Sequence, residues 1–283
     1  MISKTKKIFK VHDKMFDMSH RMVMGIINMT PDSFYKGNRY NDERDVLRRV
    51  AEMISAGVDI LDIGGMSSRP GAETISGSEE LARVLPSIKA IRKEFPELII
   101  SIDTYRSEVL RPLIDEGIGM INDISGGGLD PTFLDTVAES GLPYILMHMH
   151  GTPRTMQDKP VYQDVLLEVI TWFSNRMYTL KVMGIHDIIV DPGFGFGKTV
   201  VDNYKLLKGL EAFDILEAPV MVGVSRKRMI YETLETNADS ALYGTIAAQT
   251  LALKGGASIL RAHDVKAAAE AIRIYNAFED DAY

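Results

Sequence analysis

The segment of this chain with the clearest chemical potential runs from Asp191 to Lys198 and reads DPGFGFGK. It follows an apolar run typical of a buried strand, so it places a carboxylate where that strand ends. Three alternating glycines let the backbone turn tightly and approach a bound molecule closely. The tail Gly197-Lys198-Thr199 matches a Walker phosphate loop, but the first glycine of that motif would have to stand at Pro192. We therefore expect no nucleotide cradle here, and Asp191 needs another role.

Other polar side chains follow nearly every apolar, β-branched run of the chain. They are Asn28, Asp62, Asp103, Asn122 with Asp123, His148 with His150, Ser225-Arg226-Lys227, and Arg261 with His263. Residues two apart on a strand face the same side, so the two histidines of the fifth run should point together, as should Arg261 and His263.

Single members of this set have simpler explanations. Asp264 is expected to cap the helical segment that follows it, Asn122 could be a turn residue, and His148 could be a satisfied core histidine. Lys227 could begin a solvated helix. Such roles account for one or two positions, whereas a polar group after nearly every strand favours convergence on one site.

Two chemical groups can be distinguished within the set. Arg261, His263, Arg69 and Asn28 supply donors or neutral oxygens suited to a phosphate or diphosphate. Asp103, Asn122, Asp191 and Lys227 combine acid, amide and amine, and a buried carboxylate binds adjacent N–H donors of a planar ring well, as in a 2-amino-4-oxo pyrimidine. Oxygen ligands beside a diphosphate suit magnesium, whereas a chain without cysteine and with six scattered histidines does not suit zinc.

Alternating strands and helices must position these residues. Strands are predicted at 22–28, 58–63, 98–103, 119–123, 143–148, 187–191, 219–224 and 257–261, with helices at 42–55, 78–94, 107–116, 162–183 and 242–254. Gly57, Gly117, Gly141, Gly184 and Gly255 are expected to end helices. Eight such units predict one α/β domain, a (β/α)₈ TIM barrel over 22–283, preceded by an N-terminal extension or hairpin over 1–21. The carboxyl ends of its strands would then gather the polar residues at one mouth.

Bulk composition narrows the function classes. The chain has 283 residues, 46% hydrophobic residues and a net charge of -7, which disfavours general nucleic-acid binding. It has neither a secretory leader pattern nor an apolar run long enough to span a membrane, and the absence of cysteine fits a reducing compartment. We therefore expect a cytoplasmic protein that binds small molecules.

The motifs resemble the signatures of the dihydropteroate synthase family in the family's order. Residues 24–34 (MGIINMTPDSF) resemble the first signature and 62–71 (DIGGMSSRPG) the second. The similarity continues through IDT at 102–104, INDI at 121–124, MHM at 147–149, the Asp191 loop, VSRK at 224–227 and RAHD at 261–264. It covers essentially the whole chain after the first twenty residues.

The resemblance implies a transferase of folate biosynthesis that joins 6-hydroxymethyl-7,8-dihydropterin diphosphate to p-aminobenzoate, releasing 7,8-dihydropteroate and diphosphate. It implies pterin contacts from Asp62, Asp103, Asn122, Asp191, Gly223, Lys227 and Arg261, and anion contacts from Arg69, Arg261 and His263. Ser68, Pro70, Phe196 and Lys227 would border the p-aminobenzoate site, where sulfonamides compete in this family. Asn28 would contact both magnesium and the diphosphate, and Asp103, Lys227 and Arg261 would be the catalytic residues.

The family's reaction suggests dissociative substitution, with Asp103 stabilising the ring-delocalised cation and the loops 30–38 and 66–74 closing over the reactants. Met66 and Ser68 stand where relatives often have glutamate and threonine, and Tyr35-Lys36 replaces a small and acidic pair. We expect weaker packing around p-aminobenzoate from Ser68, rather than loss of activity.

Two other functions remain possible from the residues alone. A pterin-binding methyltransferase would share the pterin pocket but should lack the anion set, and a catalytically silent barrel could bind pterin without turnover. The resemblance also implies a homodimer through barrel helices. The small face of Ala247, Ala248, Leu251 and Ala252 could serve such an interface or pack on the barrel.

Overall fold

The computed structural model describes residues 8–11, 14–29, 43–66, 75–152 and 161–280. Strands β1 (Ile8–Val11) and β2 (Lys14–Asp17) form an antiparallel hairpin in which Ile8 pairs with Asp17. This hairpin lies within the segment that sequence analysis assigned to an N-terminal extension.

Eight parallel strands follow and surround a common axis. They are β3 (Met22–Asn28), β4 (Ile60–Gly64), β5 (Ile99–Asp103), β6 (Met120–Asp123), β7 (Tyr144–Met147), β8 (Ile188–Asp191), β9 (Met221–Val222) and β10 (Ile259–Ala262). Their order is β8-β7-β6-β5-β4-β3-β10-β9, and a parallel bridge between Val190 and Val220 joins the two outer strands. The predicted (β/α)₈ barrel is therefore confirmed.

Helices cover the outside of the barrel. They are α1 (Glu43–Ser55), α2 (Gly77–Glu94), α3 (Ser107–Asp115), α4 (Phe133–Ser140), α5 (Val165–Val182), α6 (Val200–Lys208), α7 (Arg228–Thr233), α8 (Leu242–Lys254) and α9 (Val265–Glu279), with a 3₁₀ helix at Leu210–Leu216. Helix α5 begins later than its periodicity predicts because the Asp164 carboxylate accepts hydrogen bonds from the backbone N–H groups of Leu166 and Leu167.

All five predicted glycines lie at helix ends, and Gly255 is the C-cap residue of α8, but they differ in backbone conformation. Gly57, Gly117, Gly141 and Gly184 have positive φ, whereas Gly255 has a φ of -79° and Gly256 takes the left-handed conformation with a φ of 96°. Two consecutive glycines leave this choice open in the sequence, and the backbone uses the second to turn into β10.

The face of small and apolar residues on α8, Ala247, Ala248, Leu251 and Ala252, is partly buried against the barrel and partly exposed to solvent. Ala248 and Ala252 are buried against the core, whereas 56% of the Leu251 surface is exposed. Half of the face therefore packs on the barrel. The expected homodimer stays a prediction, and Leu251 remains available to it.

The barrel interior changes character along its axis. Near the amino ends of the strands it holds an apolar cluster of Phe9, Met18, Met22, Met24, Ile60, Met120, Ile145, Ile189, Met221 and Ile259. Phe9 reaches this cluster from β1, so the hairpin closes the bottom of the barrel. Farther up the same interior, buried polar residues such as Asp62 and Asn122 replace the apolar ones. No helix in the described ranges has the length and apolar character needed to span a membrane.

This arrangement predicts that the hairpin contributes to stability mainly through the Phe9 side chain. Phe9→Ala should lower the free energy of unfolding by about 3 to 4 kcal/mol, because it leaves a cavity beneath the barrel. Ile8→Ala is the matched control: Ile8 is the adjacent residue on β1 and is 50% exposed, so its cost should stay below about 1 kcal/mol. Urea unfolding monitored by circular dichroism measures both, and equal losses would contradict a plugging role.

Candidate active site

A buried ion pair spans the upper interior of the barrel. Arg261 on β10 donates from Nε to Asp62 Oδ2 on β4 at 2.7 Å and from Nη2 to Asp103 Oδ2 on β5 at 2.9 Å. The same Asp62 oxygen accepts a hydrogen bond from Asn122 Nδ2 on β6 at 2.9 Å. Four strands thus bring these side chains into one network, as the alternation of inward positions requires.

Burial and neighbouring charge perturb the acid–base behaviour of this network. Burial raises the pKa of Asp103 to about 7, although the Arg261 guanidinium opposes the shift, and Asp62 adds to it. Burial disfavours the charged form of Arg261, but Asp62 and Asp103 outweigh this effect and raise its pKa. Arg261 therefore stays cationic, while Asp103 can gain or lose a proton near neutrality.

One acceptor of the network is unused. Asp62 Oδ1 is buried and makes no hydrogen bond within the described residues, and the Ser101 hydroxyl, level with Asp62 on β5, is in the same state. Buried polar atoms of proteins are normally satisfied, so an unsatisfied pair at the floor of an open mouth indicates a missing polar partner. A ligand with N–H donors would provide one.

Asn28, Gly64 and Asp103 lie at one level on three adjacent strands, where they are in register. A Cβ at Gly64 would lie 3.7 Å from both Asn28 Oδ1 and Asp103 Oδ2, so the absent side chain leaves space between them. Within the described residues, no group of three His, Asp or Glu side chains is arranged to hold a metal. A magnesium ion here would therefore take few protein ligands and depend on ligand oxygens, which the single amide oxygen of Asn28 fits.

The DPGFGFGK loop supplies the next part of the site. Asp191, at the end of β8, accepts a hydrogen bond from the Gly193 N–H at 2.8 Å. Lys227 Nζ donates to the backbone carbonyl of Phe194 and lies 4.7 Å from the centre of the Phe196 ring. Burial raises the pKa of Asp191, opposed by Lys227, and burial lowers the pKa of Lys227 to about 8, opposed by Asp191. Carboxylate, amine and ring thus face one another.

Gly223 lies between the two cations of the site. A Cβ there would be 3.8 Å from Lys227 Nζ and 3.9 Å from Arg261 Cβ. The glycine therefore keeps an opening between them, as a residue that lines a binding pocket must.

Sequence reasoning missed Lys198 as a contributor to the site. Its ammonium group is buried and lies within hydrogen-bond distance of His148 Nδ1 and of the carbonyl oxygens of His148, Gly193 and Phe196. Burial lowers the pKa of Lys198 to about 7, opposed by Asp191, and burial also lowers the pKa of His148 to about 2. The Walker-like tail of the sequence pointed to Lys198 but not to its role, because two of its four acceptor atoms belong to His148, fifty residues earlier in the chain.

A second missed feature supports Asp103. The carboxylate of Glu80 on α2 is buried, accepts a hydrogen bond from Thr104 Oγ1 at 2.7 Å and forms a 2.9 Å ion pair with Arg106. It therefore holds the segment that directly follows Asp103. A glutamate at an inward position of a predicted helix was the available signal.

Asp264 occupies the N-cap position of α9, as expected, but the hydrogen bonds of its side chain lie elsewhere. Its side chain makes no cap to α9 and instead receives two hydrogen bonds from Arg226, at 2.7 and 3.0 Å. Arg226 also donates to the carbonyl groups of Ala238 and Asp239, so it organises the turn before α8. The guanidinium geometry favours a paired carboxylate over a helix cap.

Two of the expected histidines, His148 and His263, lie in different surroundings. His148 is buried and contacts Trp172 edge-on at 5.0 Å, which fits the simpler explanation of a core histidine. His263 lies just beyond β10, half-buried, and its backbone N–H donates a hydrogen bond to Ser225 Oγ at 3.3 Å. The structure therefore keeps His263 beside the mouth and assigns His148 to the support of Lys198.

Three expected site residues, Ser68, Arg69 and Pro70, lie outside the described residues, as do most of the two loops expected to close. Met66, at the start of the second loop, is described, and its sulfur lies 3.6 Å from the Tyr105 hydroxyl. The substitution of methionine for glutamate thus makes a contact at the base of this loop.

An acid-lined floor, two adjacent cations and a free acceptor, all at the carboxyl ends of parallel strands, define a pterin-binding enzyme of the barrel class. The chain belongs to this family: the model of the pterin-binding enzymes matches residues 24–263. Within it, the chain is a member of the dihydropteroate synthases, as the following relatives establish.

The sequence is 44% identical to Escherichia coli K12 dihydropteroate synthase over 263 residues, covering 92% of this chain and 93% of that protein. It is 41% identical to the Synechocystis enzyme, covering 94% and 93%. A Yersinia pestis dihydropteroate synthase solved with a sulfonamide drug superposes with a TM-score of 0.91 at 37% identity, covering 96% of this chain and 99% of that one. A Xanthomonas albilineans dihydropteroate synthase solved with 4-aminobenzoic acid gives 0.89 at 37% identity, covering 97% and 99%.

The raised pKa of Asp103 makes a prediction about pH. Between pH 5 and 7 the folded protein keeps a proton that the unfolded chain, with an ordinary aspartate pKa, has lost, so this group makes stability fall as pH rises. Asp103→Asn removes the effect. Relative to wild type, the variant should gain about 2 kcal/mol in unfolding free energy from pH 5 to pH 7.

Asp130→Asn is the control for this measurement. Although burial opposes it, hydrogen bonds from Ser107 and Thr132 lower the pKa of Asp130 to about 2. Its contribution is therefore fully present above the unfolded pKa and should not change between pH 5 and 7. Urea titrations at both pH values compare the variants; a flat difference for Asp103→Asn would show that this carboxyl is already ionised at pH 5.

Proposed function

We propose that the mouth of this barrel carries out the family's condensation by dissociative substitution. The C–O bond between the pterin methylene and the diphosphate breaks first, and its electron pair leaves with the diphosphate. The p-aminobenzoate nitrogen then attacks the methylene carbon and loses its proton to give 7,8-dihydropteroate. The observation that carries the proposal is the network of Arg261 with Asp62 and Asp103, beside an unused carboxylate oxygen.

The floor suits the ring and its developing charge. Asp62 Oδ1 is an open acceptor for a ring N–H, and Asn122 and Asp191 offer further polar groups around it. Positive charge that develops on the ring during C–O cleavage would lie near Asp103, whose carboxylate is already placed on β5. A pre-aligned anion stabilises such charge without reorganisation of solvent.

Arg261 has two tasks in this proposal. Its guanidinium forms ion pairs with both Asp62 and Asp103, which favours the ionised form of Asp103. Ring N–H donors that bind the carboxylates would compete with the guanidinium and release part of it toward the departing anion. His263 and Arg69 would bind that anion from neighbouring segments.

Lys227 and Phe196 would border the second substrate. The ammonium and the ring lie 4.7 Å apart at the mouth, so a planar aromatic acid could contact the ring with its face and the ammonium with its carboxylate. Ser68 and Pro70 complete this proposed site from the second loop. A sulfonamide would compete here, because it shares the aromatic amine.

Magnesium fits as a partner of the diphosphate. Asn28 would hold it with one amide oxygen, while phosphate oxygens and water fill the remaining positions. When bound, the ion would neutralise charge on the leaving group.

The reaction itself is the first test. Wild-type protein incubated with the pterin diphosphate, p-aminobenzoate and magnesium should release diphosphate only when p-aminobenzoate is present, with dihydropteroate as the product detected by mass spectrometry. Asp103→Asn should lower kcat by roughly 100-fold or more, while the dissociation constant for the pterin diphosphate changes less than about tenfold.

Asp187→Asn is the matched control for that variant. Asp187 lies at the opposite end of β8 and binds the backbone of Lys10 in the N-terminal hairpin. Its kcat should equal that of wild type. Equal losses of binding and turnover in Asp103→Asn would remove the cation-stabilising role, and pterin binding without product would favour the silent barrel.

The metal gives an independent prediction. Chelation by EDTA should weaken binding of the pterin diphosphate by at least about tenfold, because several negative oxygens would lose their counter-ion. Binding of the pterin alcohol, which lacks the diphosphate, should not change. Calorimetry on both ligands separates the outcomes, and an unchanged dissociation constant for the diphosphate would count against magnesium.

A further inference from the structure

We propose that Lys198 is a positioning residue for the second substrate. It holds the glycine loop 193–197 against the end of β7 and thereby places Phe196 and Lys227 at the mouth. This inference rests on the proposed function for the identity of the substrate, but the loop contact can be measured without it.

The contacts of Lys198 are those of a clamp. Its Nζ lies 3.0 Å from His148 Nδ1, 3.2 Å from the His148 carbonyl oxygen, 3.1 Å from that of Gly193 and 3.0 Å from that of Phe196. An ammonium group has three donors and accepts nothing, so four nearby acceptors saturate it. These acceptors come from the loop itself and from the residue after β7, so the ammonium joins the two.

The loop needs such a clamp because its backbone is unusual. Gly193, Gly195 and Gly197 have φ values of 69°, 82° and 63°, and chains rich in glycine lose much conformational entropy when they are ordered. The loop also lies close to its neighbour: a Cβ at Gly193 would collide with the His148 carbonyl oxygen. A side chain that bonds to carbonyl groups on both sides of this contact holds the two segments together.

The clamped loop in turn positions Lys227. The Phe194 carbonyl accepts a hydrogen bond from Lys227 Nζ, and the Phe196 ring stands 4.7 Å from the same atom. The Phe196 carbonyl is bonded to Lys198. Phe196 therefore contacts Lys227 through its ring and Lys198 through its backbone carbonyl, so loss of the Lys198 hydrogen bonds should move the ring.

Charges around Lys198 do not suggest a different task. Asp191, Asp202 and Lys227 influence it electrostatically, and His148 contacts it directly. Among the described residues no carboxylate lies within hydrogen-bond distance of its Nζ. Its side chain is buried, with 7% of its surface exposed, and its donors are directed to the protein, so it acts through the loop.

The test compares Lys198→Met with a matched control, Arg92→Met. Arg92 also donates to three backbone carbonyl groups, those of Pro96, Leu98 and Gly117, but at the opposite end of the barrel. Both variants remove a cation that holds carbonyl groups. Lys198→Met should raise the KM for p-aminobenzoate by at least about tenfold and leave the dissociation constant of the pterin diphosphate within about threefold, whereas Arg92→Met should change neither.

A double-mutant cycle with Phe196→Ala identifies the route of the effect. If Lys198 acts through the ring, Lys198→Met should add little to the KM of a Phe196→Ala protein. Fully additive effects, or a KM in Lys198→Met equal to that of Arg92→Met, would overturn the inference. Should Lys198→Met fail to fold, Lys198→Gln, which keeps a shorter donor, takes its place with a smaller rise expected.

Amide hydrogen exchange tests the effect of Lys198 on the loop without any measurement of catalysis. The N–H groups of Gly195 and Phe196 are bonded to Asn203 Oδ1 and the Gly193 carbonyl, so a peptide over 192–199 should exchange faster in Lys198→Met and unchanged in Arg92→Met. Unchanged exchange in both would refute the clamp. Inactive wild-type protein with normal loop protection would refute the proposed function alone.

Discussion

The site is organised by the need to satisfy buried charge. Asp62 is inaccessible to solvent, and an ionised carboxylate in that position is costly unless a cation and hydrogen bonds compensate it. Arg261 and Asn122 provide both, from β10 and β6. The guanidinium has a second branch, which bonds to Asp103, so a requirement of the fold also determines where a proposed catalytic carboxylate stands. Removal of one member would leave the others uncompensated.

The barrel interior has two layers: an apolar lower layer that contributes to stability and a polar upper layer that forms the candidate site. The lower layer is a methionine- and isoleucine-rich cluster closed by Phe9, and it buries apolar surface without polar cost. In the upper layer, burial raises the pKa values of Asp103 and Asp191 and lowers those of Lys198 and Lys227. Perturbed groups of opposite charge in one mouth are the pattern expected where a protein stabilises developing charge.

The barrel fold and the convergence of the main site residues could be predicted from the sequence. Apolar runs that alternate with amphipathic segments predicted the barrel, because each strand of a parallel sheet covered on both faces must be apolar. The position of Asp62, Asp103, Asn122 and Arg261 after such runs predicted their convergence, since the strands of a barrel end on the same face. The loop glycines indicated a backbone under special constraint, and the positive φ values of Gly193 and its neighbours bear this out.

The partners of each side chain required the tertiary structure. No local pattern shows that Asp264 binds Arg226 and not its own helix, that Glu80 supports the residue after Asp103, or that Lys198 bonds to carbonyl groups of His148 fifty residues away. Sequence by itself determined which residues stand at strand ends, because periodicity is a local property of the chain. Which atoms meet across the barrel was decided only by strand order and register, since hydrogen bonds depend on distances that folding alone sets.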